Sequence, residues 1–417
     1  MIPFRPFLTM AASLAAVALL ASSCSLFGGD DEASEGTDDD GDSTEATGDA
    51  PAAPVAGAFN VIGKDIIDPE GNLFVPFGAN VGPPLKDTNG KPIWYHTLKG
   101  DDITTPQSQA AIETWGWNAL RTNTLCVPTD PNPEIGSSGH GNAEVFAALD
   151  AVVNTYTPKG IVVMIDCHDF TASPVEVGSP EWESVQAFWV EANDRYGDNG
   201  YVWFNHLNEA HLPDQGEAVW QAQVDGAYDA FVEMESKNLL VFDIANQGQK
   251  LEAFQDPAIQ EWAKTKCNVV WGWHSYGAVQ TGAEDLRFPD QAEYNVEATK
   301  VVDEVAAAEI PLVVGEFGYD WNSDRQKSNF SYQAERVGTL HAIDTAPKHG
   351  YGMIAWHANG DSGEQMTYGL KNSDSQTFAQ PAAGENLSEF GTAFWEYSQN
   401  QSGVAAQAGP TGEACTR

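Results

Sequence analysis

The feature that most limits the possible folds is a repeated alternation of apolar strand-like runs with amphipathic helical stretches. Eight runs are rich in aliphatic and aromatic residues, and the segments between them carry apolar residues at helical spacing. The runs are residues 73–80 (LFVPFGAN), 117–122 (WNALRT), 161–167 (IVVMIDC), 202–207 (VWFNHL), 239–245 (LLVFDIA), 268–274 (NVVWGWH), 312–317 (LVVGEF) and 352–357 (GMIAWH). Such apolar runs are typical of parallel strands that are covered on both faces. Eight β/α units therefore predict an α/β protein with a single closed (β/α)8, or TIM, barrel rather than an open sheet.

The N-terminal residues 1–24 have the pattern of a secretory signal. A basic residue, Arg5, precedes an apolar stretch, and small residues lead to Cys24. Residues 21–24 (ASSC) resemble a bacterial lipobox, in which the cysteine carries the lipid. The sequence therefore predicts lipidation of Cys24, with ordinary cleavage near the same place as the alternative. The predicted location is extracellular or at the cell surface, as a membrane-anchored bacterial lipoprotein.

A strongly acidic segment follows the signal. Residues 25–57 contain ten acidic residues and no Lys or Arg. Such a segment cannot bury enough apolar surface to fold, and its charges repel one another. We therefore predict a flexible linker over 25–57, a barrel domain over 58–398 and a polar tail over 399–417.

The formal net charge of the whole chain is −40. The linker holds only ten of the acidic residues, so most of this excess belongs to the barrel domain. Phosphates would be repelled, which argues against a nucleic-acid partner and against electrostatic adsorption to anionic lipid. A neutral substrate suits this surface. Membrane contact is expected only through the lipid anchor, and the protein is expected to be a monomer.

Four cysteines remain after Cys24, in a compartment where disulfides can form. Cys267 begins the sixth strand of the predicted barrel, and Cys415 lies near a C-terminus that could return to that end. We predict a bridge between these two, with four free thiols (Cys126 and Cys167 included) as the alternative. The chain has no C-x-x-C or H-E-x-x-H motif, so a zinc site is not supported.

Polar or ionisable residues recur where the predicted strands end. In a (β/α)8 barrel the C-terminal ends of the strands meet on one face, where active sites lie. Residues at these ends should therefore converge on one site. They are Arg121, His168, Asn208, Glu209, His274, Tyr276, Glu316 and Trp356.

The two glutamates among them suit the hydrolysis of a glycosidic bond. This reaction needs a protonated carboxyl and an ionised one on either side of the bond. The product keeps its anomeric configuration if the carboxyls are ~5 Å apart, and inverts it if they are ~8 Å apart. Arg121 and Tyr276 could hold the charge of Glu316, and Asn208 could bind the sugar 2-hydroxyl.

Three further residues of the set suit substrate binding. His168 and His274 could orient the substrate or the two carboxylates. Trp356 offers a flat apolar face on which a pyranose ring could stack.

The full set, in chain order, resembles glycoside hydrolase family 5, the cellulase and β-mannanase family. The resemblance covers residues 58–398 and matches all eight recurring active-site positions of that family. It implies a (β/α)8 barrel, a retaining double displacement and no cofactor. By the match of the motif, Glu209 is the acid/base and Glu316 is the nucleophile.

The predicted function is therefore that of a retaining endo-β-glycosidase that acts on a β-1,4-linked polysaccharide, either cellulose or another β-glucan, or mannan. One alternative is a catalytically idle barrel that only binds glycans at the cell surface. A second alternative keeps the enzyme and changes the bond, to a β-1,3-glucan or a glycolipid.

Overall fold

The structure is a computed structural model, which describes most of the chain after residue 56. The described residues are 57–84, 102–127, 142–169, 175–212, 215–276, 291–319, 330–358, 370–371, 378–379, 382–411 and 415. The predicted signal, Cys24 and the acidic linker up to residue 56 lie outside them. Within the described ranges, no helix combines the length and apolar character needed to cross a membrane.

Eight parallel strands close into a barrel, which confirms the predicted fold. The last barrel strand pairs with the first, at Met353 with Phe77, so the barrel has no free edge. The barrel strands are β3 (Phe77–Val81), β4 (Ala119–Thr124), β5 (Val162–Cys167), β6 (Val202–Asn205), β7 (Leu240–Asp243), β8 (Val269–Ser275), β9 (Leu312–Phe317) and β10 (Gly352–Ala355). Every residue in these strands is buried, as expected for parallel strands covered by helices.

Helices follow the strands and cover the outside of the barrel. Apolar side chains fill the layer between them; Trp271 of β8, for example, lies 5.5 Å from Trp220 and 5.3 Å from Trp262, between ring centroids. The described helices are α1 (Pro106–Trp115), α2 (Asn142–Tyr156), α3 (Pro180–Tyr196), α4 (Glu217–Glu233), α5 (Pro257–Lys264), α6 (Gln291–Ala307), α7 (Phe330–Thr345) and α8 (Glu389–Ser402).

A hairpin closes the end of the barrel where the strands begin. Strands β1 (Asn60–Ile62) and β2 (Asp65–Ile67) pair antiparallel. The ring of Phe59 packs edge-on against Trp203 of β6, at 5.2 Å between centroids. These contacts seal the bottom of the barrel with apolar surface and place the start of the folded chain there.

The end of the chain returns to the same face. Helix α8 continues past residue 398, where we predicted the polar tail to begin. Beyond it, the backbone oxygen of Gln407 accepts a hydrogen bond from the Leu73 nitrogen, and the Gly409 nitrogen donates to Gly71. The described part of the tail therefore packs against the turn that precedes β3.

Two disulfides join the four described cysteines. The predicted bridge between Cys267 and Cys415 is present, with the Cα atoms 5.0 Å apart, and the free-thiol alternative is wrong. The second bridge, between Cys126 and Cys167, was not predicted; its Cα atoms lie 5.3 Å apart. Its cause is the strand register, because Thr124 of β4 lies directly opposite Cys167 of β5.

Removing the Cys267–Cys415 bridge should destabilise the protein. The bridge closes a sequence separation of 148 residues, so its loss should lower the free energy of unfolding by about 2–4 kcal/mol. The measurement is urea denaturation of the Cys267→Ser/Cys415→Ser double variant, with the Cys126→Ser/Cys167→Ser pair as the matched comparison. Peptide mapping without reductant checks the pairing. Four cysteines that react with iodoacetamide in the folded, unreduced protein would contradict it.

Candidate active site

All eight residues predicted from the strand ends lie on one face of the barrel and are linked by contacts. Arg121 lies in β4, His274 in β8 and Glu316 in β9. His168, Tyr276 and Trp356 directly follow their strands, and Asn208 and Glu209 lie three and four residues beyond the end of β6. The contacts run from Arg121 to Glu316 and Asn208, from Asn208 to His168, from His168 to Trp356, from Glu209 to His274, and from Tyr276 to Glu316. The prediction that these side chains meet is therefore confirmed.

Glu316 is held by two proton donors. The Arg121 Nη1 donates to Glu316 Oε1 at 2.5 Å, and the Tyr276 hydroxyl donates to Oε2 at 2.8 Å. The His274 Nδ1 lies 3.7 Å from the same Oε2. Only 4% of the Glu316 side chain is exposed, so these groups replace water as partners of its carboxylate. These contacts fix the position of the carboxylate, as an attacking nucleophile requires.

Arg121 is fully buried beneath this carboxylate. Burial opposes its charge, but Asp166, Glu316 and Asp243 outweigh that penalty and raise the pKa of the guanidinium above its ordinary value. Its Nη2 lies 3.3 Å from Asp166 and 3.8 Å from Asp243. The guanidinium also donates to the side-chain oxygens of three asparagines, Asn80, Asn205 and Asn208. One buried cation thus orders several of the polar side chains inside the barrel mouth.

Glu209 has a different environment. Its side chain is 12% exposed, and Oε1 lies 2.7 Å from the His274 Nδ1. Burial raises the pKa of this carboxyl; His274 opposes the rise, while Glu316 and Asp243 add to it. The net result is a raised pKa, which favours the protonated form that a general acid needs. One oxygen of each glutamate and one nitrogen of His274 lie within 4.8 Å of one another.

His168 and Trp356 form the remaining wall. Their rings stack in parallel, with centroids 5.4 Å apart. The His168 Nδ1 lies 2.6 Å from Asp166, and its Nε2 lies 3.4 Å from the Asn208 amide nitrogen. Since the Asn208 oxygen accepts from Arg121, the amide nitrogen is the atom presented as a donor.

Sequence reasoning missed the polar residues inside the strands. Asp243 in β7 and Asp166 in β5 are buried acids within otherwise apolar runs, and both lie within 4 Å of Arg121. The signal was present, because Asp is rarely buried in a strand unless it is paired. His274 and Arg121 lower the pKa of Asp243 to about 2, although burial alone would raise it. Its charge therefore stabilises the fold above about pH 4, and this contribution is lost as the pH falls through 2.

The family assignment follows from the fold and these residues together. The sequence model of the family described as Cellulase (glycosyl hydrolase family 5) matches residues 78–362, a range from β3 to beyond β10. The chain belongs to glycoside hydrolase family 5. It is accordingly a glycoside hydrolase, and the resemblance noted from its strand ends is confirmed. No curated protein matches this family 5 chain in sequence.

Solved structures similar to this family 5 enzyme include mannanases and a glucanase. The β-mannanase of Thermomonospora fusca, in complex with mannotriose, shares 19% identity over 85% of this chain and 99% of its own, with a TM-score of 0.56. A β-glucanase of Saccharophagus degradans shares 16% identity over 84% of this chain and 94% of its own, with a TM-score of 0.58. The mannanase catalytic domain of Streptomyces sp. SirexAA-E shares 17% identity over 84% of this chain and 93% of its own, with a TM-score of 0.55. At these identities the likeness shows the fold alone.

Two groups of described residues in this family 5 enzyme have donor atoms close enough to hold a metal ion. In the first, Cys126 and Cys167 are joined to each other, and Asp169 accepts from the backbone nitrogens of Cys126 and Val127. In the second, Glu209 pairs with His274, and Glu316 accepts from Arg121 and Tyr276. We assign a metal to neither group.

Proposed function

We propose that this family 5 enzyme is a retaining endo-β-glycosidase that hydrolyses a β-1,4-linked glucan or mannan. The observation that carries the proposal is the short distance between one oxygen of Glu209 and one of Glu316, within 4.8 Å. Retaining enzymes hold their carboxyls ~5–5.5 Å apart, whereas inverting enzymes need a wider gap that admits a water molecule.

The different environments of the two glutamates support one role for each. Glu209, with its raised pKa, donates its proton to the leaving glycosidic oxygen while Glu316 attacks the anomeric carbon. The bond to the leaving sugar breaks as the glycosyl-enzyme bond forms. Glu209, now ionised, takes a proton from water, whose oxygen displaces Glu316 from the anomeric carbon. Arg121 and Tyr276 stabilise the Glu316 carboxylate before the first step and after the second.

The substrate class is supported by charge and by relatives. The net charge of −40 suits a neutral polymer. The similar structures include a β-mannanase that holds mannotriose, a second mannanase and a β-glucanase. Trp356 is half-buried and stacks on His168, and its ring could also stack on a pyranose ring.

A substrate panel tests this function. We expect the secreted chain, without residues 1–24, to release reducing ends from mannan or carboxymethylcellulose, and Glu316→Ala to release none. Xyloglucan, xylan and laminarin complete the panel. Proton NMR of the first products should show the β-anomer, as retention requires.

Three outcomes would contradict the proposal. An α-anomer as first product would make the enzyme inverting. Glycan binding without hydrolysis by folded protein would favour the idle barrel, and cleavage of laminarin alone would favour a β-1,3-glucan as substrate.

Lipidation of Cys24 and a location at the cell surface stay predictions. They rest on the lipobox-like residues 21–24 and on the acidic segment that follows. Fatty-acid labelling of the intact chain in its host, compared with Cys24→Ala, tests the anchor. A monomeric state also stays a prediction, which the elution volume in size-exclusion chromatography checks.

A further inference from the structure

We propose that Asp243 is a positioning residue for Glu209, through one carboxylate oxygen that accepts from the Glu209 backbone and faces the His274 ring. This inference rests on the proposed function, since it takes Glu209 as the acid/base. The oxygen is Oδ2, which lies 3.1 Å from the Glu209 nitrogen and 3.4 Å from the His274 Nε2. Asp243 lies at the end of β7, and none of the eight site residues predicted from the sequence belongs to this strand.

The first contact fixes an unusual backbone conformation. Glu209 has a φ of 49°, in the left-handed region that residues with a Cβ seldom adopt. Its backbone N–H donates to Asp243 Oδ2. Because Asp243 belongs to a barrel strand, this hydrogen bond ties the acid/base to the rigid part of the fold.

The second contact continues through His274 to the Glu209 carboxylate. One ring nitrogen of His274 faces Asp243, and the other lies 2.7 Å from Glu209 Oε1. The ring cannot move aside: the His274 side chain is fully buried, and a Cβ on Gly248 would lie 2.6 Å from its Cγ. Asp243, His274 and Glu209 therefore form a chain of three side chains with fixed geometry.

The strand beside β7 leaves room for this carboxylate. Gly272 of β8 lies opposite Asp243 in the register, and a Cβ there would lie 2.5 Å from Asp243 Oδ1. The same Oδ1 accepts from the Asn205 amide at 3.2 Å. Glycine at position 272 thus makes the position of Asp243 possible.

The charges around His274 determine the direction in which the pKa of the Glu209–His274 pair should move when Asp243 is replaced. Among the described residues, three acids lie within 4 Å of its ring nitrogens: Glu209 after β6, Asp243 in β7 and Glu316 in β9. Arg121 of β4 lies behind them, against Asp243 and Glu316. Burial opposes a charge on His274, but Glu316 and Asp243 outweigh it and raise its pKa well above the ordinary value.

Removing the charge of Asp243 should weaken the binding of each proton to the Glu209–His274 pair and so lower the pKa at which the pair loses it. This sign holds whether the proton is on the carboxylate or on the ring, because the two groups titrate together. An opposite charge at this distance shifts a pKa by about one unit or more. The alkaline limb of activity, where the pair loses its proton, should therefore move to lower pH.

The test is Asp243→Asn, which removes the charge and keeps an oxygen that can accept from the Glu209 N–H. We expect the alkaline limb of kcat/KM to move down by about one pH unit. The matched control is Asp166→Asn. Asp166 is also a buried acid that pairs with Arg121, but it contacts His168 instead of His274, so its removal should leave the alkaline limb in place.

A second readout needs no substrate. In the full secreted chain with 15N-labelled histidine, the His274 ring, assigned by its loss in His274→Gln, should lose its proton at lower pH in Asp243→Asn. If the unmodified enzyme hydrolyses nothing in the panel, the proposed function fails, and this titration still decides the role of Asp243. An unchanged titration and limb in Asp243→Asn would overturn the inference, as would equal shifts in Asp166→Asn.

Gly272→Ala provides a second test of the role of Asp243, which can be used if Asp243→Asn does not fold. This variant retains the charge and displaces the carboxylate, because the added Cβ would meet Asp243 Oδ1. We expect the alkaline limb and the His274 titration to move in the same direction as in Asp243→Asn. Behaviour identical to that of the unmodified protein would overturn the inference.

Discussion

Replacing Glu316 with Gln should lower kcat/KM by a factor on the order of 10⁴ or more, the scale seen when a nucleophile is lost. The amide has nearly the same shape as the carboxylate, but it is a far weaker nucleophile toward the anomeric carbon. The Arg121 guanidinium also loses the acid that it contacts at 2.5 Å. Initial rates on the polymer that the unmodified enzyme cleaves give the factor, and circular dichroism checks the fold.

Glu389 offers a matched control for this change. It too accepts from an arginine and a tyrosine, Arg336 and Tyr319, with the tyrosine at 2.6 Å. It lies in α8, however, and half of its side chain is exposed. Glu389→Gln therefore removes a similar set of contacts without touching the site and should leave the rate within about twofold. A comparable loss in both variants would mean that Glu316 is not the nucleophile.

Replacing Glu209 with Ala should lower kcat/KM on the polymer by about 10²–10⁴-fold, the usual contribution of a general acid. The loss should be small for an aryl glycoside with a good leaving group, which departs without a proton, so that the glycosyl-enzyme accumulates. Azide should then restore turnover, since this anion needs no general base. Its nitrogen attacks the anomeric carbon, the bond to Glu316 breaks, and the product is a β-glycosyl azide, which mass spectrometry and NMR identify.

Glu235 provides the control for this second change. It has nearly the same backbone conformation, with a φ of 51° against 49° for Glu209, but it is exposed on the surface. Glu235→Ala removes the same side chain from the same kind of backbone and should not alter the rate. If Glu209→Ala loses as much activity on the activated glycoside as on the polymer, and azide restores none, Glu209 is not the acid/base.

Much of the fold was predictable because a closed parallel barrel leaves a repeated pattern in the sequence. The runs around Trp203 and Val313 each begin with three consecutive apolar residues, 202–204 and 312–314, and each barrel strand is buried on both faces. The eight site residues were predictable for a related reason. The C-terminal ends of the strands of a (β/α)8 barrel meet on one face, so Arg121 and Glu316 could be placed together from their positions alone.

Contacts inside the mouth could not be predicted in the same way. The roles of Asp243 and Asp166 depend on which residue lies opposite in the next strand and on a glycine that leaves space, and neither follows from one run of sequence. The Cys126–Cys167 bridge has the same origin, because only the register brings the ends of β4 and β5 together. The β8–β9 pairing also shifts between Trp273 and His274, an irregularity that strand periodicity does not reveal.

Both ends of the folded chain lie at the face where the barrel strands begin. Phe59 packs there against Trp203, Gly409 is bonded to Gly71, and Cys415 is joined to Cys267 just before β8. A purification tag, a second protein module or a solid support attached close to Phe59 or to Cys415 therefore lies on the side away from Glu209 and Glu316. A chain that begins near residue 57 can be immobilised or extended from either of these points while the face that carries the two glutamates points away from the attachment.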